Sequence, residues 1–119
     1  MRKIILLGFV SFCFLGSMWA QPANGNTPAA LIKSGDEQIE KGQYYNALEQ
    51  YEKSYKEVKD KDVAVKIART HFLLRDYGKS ATKFAQVLAR DKANKYIEER
   101  FLYGKALKMN AQYTEAAAE

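Results

Sequence analysis

A small residue followed nine positions later by a tyrosine occurs three times in this chain, as Gly35 and Tyr44, Ala68 and Tyr77, and Gly104 and Tyr113. The small residues stand 33 and 36 positions apart, each inside a stretch of helical apolar spacing, and each tyrosine opens the next stretch. A period of this length belongs to stacked helical hairpins, because one hairpin cannot bury its own apolar face and needs a neighbour.

The rest of the pattern agrees. After Pro28 there is no proline, and glycine is scarce, so everything beyond it is expected to be helical. Thr27 and Pro28 make a helix start, a hydroxyl cap before a proline whose missing N–H is harmless at the first position. The first helix is predicted from Pro28 to Lys41, with Leu31, Ile32, Gly35 and Ile39 on one stripe and Gly42 as the left-handed stop. The second runs from Tyr44 to Val58. Asp60 or Asp62 caps a third, ending near Leu74, and Asp76 caps a fourth carrying Tyr77, Ala81, Phe84, Val87 and Leu88. Asn94 is expected to cap a fifth, with Ile97, Phe101, Gly104, Leu107 and Lys108 at helical spacing. A sixth begins near Tyr113 and reaches Glu119 after only seven residues.

Residues 1–20 stand apart. Arg2 and Lys3 precede a mostly apolar run, Ile4 to Leu15, and small residues lead to Gln21, the layout of a secretory signal peptide with cleavage after Ala20. Gln21 to Thr27 lack apolar periodicity and read as a flexible leader. Cys13, the single cysteine, falls within the apolar run; Phe12 before it is too large for a lipidation motif, so the thiol leaves with the signal. The mature chain is therefore expected to be held together by packing alone, with no further membrane span.

Charge excludes some functions. The net charge of +5 falls to +3 once Arg2 and Lys3 are removed, and lysines and glutamates alternate without a block of like sign. That is a solvated helical surface and not a nucleic-acid footprint. His71 is the lone histidine, so no zinc set can be assembled, and its repeat position assigns it a packed, hydrogen-bonded interior role. No strand-turn-helix elbow presents a nucleophile. Neither catalysis nor a cofactor is expected.

These registers resemble the tetratricopeptide repeat (TPR), carried by Leu31, Gly35, Gly42, Tyr44, Ala47, Tyr51 and Ser54, then by Ala68, His71, Tyr77, Ser80, Phe84 and Val87. The third copy supplies Tyr103, Gly104, Leu107, Ala111, Tyr113 and Ala116. The resemblance implies an all-α fold, a right-handed superhelix of antiparallel helix pairs over 28–119, divided as 28–60, 61–96 and an incomplete 97–119. The family's helix-A tryptophan is replaced by Leu31, Ala64 and Arg100. Its closing proline is replaced by Lys59 and Lys92, and about two extra residues fall around Ala93 to Tyr96. By register the aromatics Tyr44, Tyr51, Tyr77, Phe84 and Tyr113 are core.

In such repeats the concave face is lined by the first helix of each pair, which here offers Asp36, Ile39, Arg69, Phe72, Lys105 and Lys108. The resemblance implies a non-enzymatic scaffold binding a protein or peptide partner there, with Arg69, Lys105 and Lys108 suited to an acidic segment. Asp36 and Ile32 stand where the carboxylate-clamp version of the repeat needs Asn and Lys, so a chaperone-tail ligand is not implied. A signal, a leader and degenerate repeats containing Leu74 to Tyr77 and Tyr103 to Asn110 are also similar to the start of OmpA-family, TPR-containing periplasmic proteins of the type IX secretion and gliding machinery. That likeness implies an exported, periplasmic or outer-membrane-associated chain, the N-terminal module of a longer protein whose later domains hold peptidoglycan. The alternative is a structural spacer within such a protein, with recognition done by the later domains.

Overall fold

The structure, a computed structural model, describes residues 25–118. The expected signal at 1–20, its cleavage after Ala20, and Cys13 lie outside the described residues.

Among the described residues the fold is all-α, with five helices: α1 (Pro28–Glu40), α2 (Tyr44–Val58), α3 (Lys61–Leu73), α4 (Tyr77–Leu88) and α5 (Ile97–Ala118). The first four boundaries follow from local chemistry. Thr27 Oγ1 accepts from the Ala30 amide at 3.2 Å, and Pro28 occupies the first turn of α1. Gly42 then turns left-handed at φ +70°, and the Gln43 amide closes onto the Gln38 carbonyl. Asp60, not Asp62, caps α3, accepting from the Asp62 and Val63 amides. Asp76 caps α4 through the Lys79 amide. Lys59 and Arg75 adopt positive φ where α2 and α3 stop, so the stop is imposed on residues that do not favour it.

The helices pack as a repeat. Tyr51 on α2 lies against Gly35 at the middle of α1, while Ser54 further along α2 donates to the Pro28 carbonyl at the start of α1, so the pair is antiparallel. Ser80 of α4 donates to the Ala68 carbonyl of α3 at 2.9 Å inside the second pair. Between the pairs, Ala47 and Tyr51 meet Val63 and Ile67; further along, Ala64, Val65, Val87 and Tyr96 form a second cluster. Full burial of a side chain such as Phe84 contributes about 2–3 kcal/mol each, so these clusters, and not helix propensity, hold the layers together.

Three expectations fail together in the third unit. There is no sixth helix: α5 continues unbroken through Tyr113 to Ala118. The reason is visible two residues before each tyrosine. Gly42 and Arg75 take positive φ there, whereas Ala111, the best helix former, stays helical. Gly104, expected to meet a facing helix, is exposed with nothing within 4 Å of where its Cβ would stand. The small residue that α5 buries is Ala106, two positions on. Tyr113, expected in the core, is 52% exposed and stacks on Tyr77 with centroids 5.8 Å apart; Tyr44 and Tyr77 are only half-buried, while Tyr51 and Phe84 are core as expected.

Asn94 is not the cap of α5 either. It takes φ +53°, and the Asp91 carboxylate receives the Lys95 and Tyr96 amides instead. The two extra residues between the second and third units are absorbed in that turn.

Candidate functional site

Helices α1, α3 and α5 lie side by side, each parallel to the next. Asp36 of α1 accepts from Lys66 Nζ of α3 at 2.6 Å. One step on, Arg69 of α3 reaches Glu98 at 2.7 Å and, through Nε, Glu99 at 3.0 Å. Asp62 at the start of α3 receives the Tyr96 hydroxyl at 2.6 Å and Lys95 Nζ at 3.2 Å just ahead of α5. These contacts form a polar ladder across one face, and between α1 and α3 they leave a groove of about 350 Å³ walled by Ile39, Lys66, Arg69 and Leu73.

The electrostatics of the ladder are largely closed on themselves. Burial opposes ionisation of Asp36, yet donation from Lys66 and Tyr51 outweighs it and holds the carboxyl below its ordinary range. The same carboxylate raises the Tyr51 phenol, whose burial acts in the same direction and is the larger cause. Desolvation works against the Arg69 cation, but Glu98 and Glu99 more than offset it. The Tyr96 and Lys95 donors lower Asp62.

Of the residues expected to hold a partner, Asp36 and Arg69 line one groove, as do Ile39 and the unanticipated Lys66 and Leu73. Arg69 is not a free cation: it clasps α5 to α3. Phe72 is half-buried beside Tyr77, ring edge to face at 5.2 Å, and Lys105 Nζ lies 5.9 Å from its centroid. Lys108 is exposed and has no carboxylate partner among the described residues. The sequence did contain a clue to the ladder, because Lys66 follows Asp36, and Glu99 follows Arg69, by the same 30 positions. Opposite charges recurring near the repeat period mark side-by-side helices.

His71 is buried as expected, but it is not satisfied. Its Nδ1 has no hydrogen-bond partner among the described residues and stands 3.6 Å from an Asp76 carboxylate oxygen. Desolvation dominates and pushes its pKa down, so the ring is neutral at pH 7. Among the described residues no group of three or more His, Cys, Asp or Glu could hold a metal ion, and no helix is long and apolar enough to cross a membrane.

On α5 the apolar residues Ile97 and Phe101 are 73% and 72% exposed, one turn apart and in line with the open Gly104. No protein-family model, curated protein or solved structure matches the chain.

Proposed function

We propose that this chain is a non-enzymatic docking scaffold of TPR type, exported to the cell envelope, whose α1/α3/α5 face receives a segment of a protein partner. The observation that carries this reading is the groove beside the Asp36–Lys66 pair. Ile39 and Leu73 offer apolar contact there, Asp36, Lys66 and Arg69 are already paired, and Glu40 is exposed at the rim, so a segment can bind without leaving a buried charge alone. The partner is therefore held by apolar anchors between Ile39 and Leu73, with specificity from the rim.

A second reading is favoured by the same ladder. Arg69 is spent on Glu98 and Glu99, and a rigid row of clasped helices suits a spacer whose recognition lies in other domains of an OmpA-like, secretion-associated protein.

Photo-crosslinking amino acids placed at Leu73 and, as a control on the opposite layer, at Lys53 separate the two. A docking scaffold gives one discrete adduct from Leu73 in envelope preparations, lost in an Ile39→Asp background, and none from Lys53. A spacer gives no adduct at either site.

A further inference from the structure

A second site lies on the other side of the fold, away from the groove. Lys59 from the α2–α3 connection and Lys61 from the start of α3, with Lys83 from α4 and Arg90 just beyond its end, surround a recess of about 310 Å³ floored by Ala64, Ile67 and Val87 and walled by the Tyr55 ring. Among the described residues its lining contains four cations and no acid. None of the four forms a salt bridge among the described residues.

Elsewhere Lys53 pairs with Glu49, Lys66 with Asp36, Arg69 with Glu98 and Glu99, Lys95 with Asp62 and Arg100 with Asp91, whereas these four stand together around a single recess. Uncompensated like charges repel, and in a recess with low-dielectric walls their field is focused instead of dispersed in water. The cations are also partly fixed. Lys61 Nζ donates to the Arg90 carbonyl at 3.1 Å, which ties the α3 start to the end of α4. Lys59 and Lys83 both place their ammonium groups by one ring, 5.0 and 6.0 Å from the Tyr55 centroid. Lys59 does so from a left-handed backbone, φ +51°, which an L side chain adopts at a cost. The floor is apolar: Ala64, Ile67 and Val87 are buried.

We propose that this recess binds a phosphate-bearing ligand carrying more than one negative charge. Four converging cations exceed what a single carboxylate neutralises. At about 310 Å³ the recess has room for a headgroup or a small phosphorylated molecule. The phosphates sit among Lys59, Lys61, Lys83 and Arg90, with the Arg90 guanidinium able to present two parallel N–H donors, and any carbon skeleton rests on Tyr55 and Val87.

The test uses the full chain, two phosphate probes and an oligoglutamate peptide for comparison. One is pyrophosphate, followed by calorimetry and by the amide resonances of Lys59, Lys61 and Lys83. The other is vesicles of cardiolipin, whose headgroup carries two phosphates, mixed with neutral lipid, followed by co-sedimentation. A soluble ligand source is indicated if pyrophosphate binds, a lipid source if only the anionic vesicles do; either supports the site, provided that Lys83→Gln and Arg90→Gln each weaken binding by about tenfold while Lys53→Gln does not. Because the apolar residues 4–15 can themselves enter a bilayer, the vesicle arm is read only as the difference between the unmodified chain and those variants. Circular dichroism checks that the variants stay helical; should Arg90→Gln unfold, Lys59→Gln, at an exposed position, replaces it. The proposal is overturned if neither probe binds, if the Lys53→Gln control loses as much as the others, or if only an oligoglutamate peptide is retained.

Discussion

The Tyr51 ring fills the space beside Gly35 so closely that a Cβ on Gly35 would stand 2.7 Å from Tyr51 Cδ1. The same ring ends in a hydroxyl that donates to the neighbouring Asp36 at 2.6 Å, so one residue sets both how near α2 comes to α1 and how α1 faces α3.

Gly35→Ala should therefore destabilise the chain by about 1–3 kcal/mol, since the buried ring has little room to retreat. Gly104→Ala should have the opposite sign, a gain of about 0.5–1 kcal/mol, because that position is mid-helix and open. Urea unfolding of both variants checks the pair. Equal losses would mean that Gly104 does meet a facing helix.

Removing the Tyr51 hydroxyl tests the ladder by pH. Asp36 has a folded-state pKa below its unfolded value, so the stability it brings is present at neutral pH and is lost as pH falls through the folded pKa. Tyr51→Phe should lose about 1 kcal/mol at pH 7, and the gap from the unmodified chain should close as pH is lowered towards about 2. Asp62 and Asp91 contribute to the same acid limb; for Asp91, burial opposes ionisation but is outweighed by the Lys95 and Tyr96 amides and Arg100.

His71 acts in a higher window. The folded state disfavours the protonated ring, so stability is intact above the unfolded pKa near 6.5 and falls as pH drops from there towards the lower folded value. Asp76 and Glu52 soften this loss, and Lys79 and Lys83 sharpen it. Thermal melts at about pH 7.5 and 5.5 should show a drop for the unmodified chain that His71→Gln lacks.

The clasp at Arg69 predicts coupling. Arg69→Gln leaves the buried Glu99 carboxylate without its partner and should destabilise by about 2–3 kcal/mol. Hydrogen exchange in α5 should rise well before exchange in α1. Adding Glu99→Gln should restore most of the loss, whereas additive effects would mean that the two groups do not interact.

The first two helix pairs were legible because their instructions are local. Thr27, Gly42, Asp60 and Asp76 each start or stop a helix through their own side chain or backbone freedom. The third unit was misread because its spacing copied the pattern while Ala111 lacked the turn chemistry that makes the pattern fold back. At the groove, register put Asp36 and Arg69 on one face, and both line it. It could not show that Arg69 is taken by Glu98 and Glu99, since charge pairing between helices depends on how far each slides along its neighbour. The four-cation recess escaped notice for a related reason: Lys59, Lys61, Lys83 and Arg90 look like scattered solvated charges until α2, α3 and α4 bring them together.

The central claim is that α2 nests against α1 and an unbroken α5 against α4, the two packings that hold the α1, α3 and α5 face together. Nuclear Overhauser contacts in the full chain read this directly. Cross-peaks from the Tyr51 ring to the Gly35 Hα protons, and between the Tyr77 and Tyr113 rings, are expected together. Loss of the first would remove the pairing of α1 with α2. A Tyr113 ring that instead contacts Gly104 would show α5 broken and folded back on itself, contradicting the continuous helix and the face it completes.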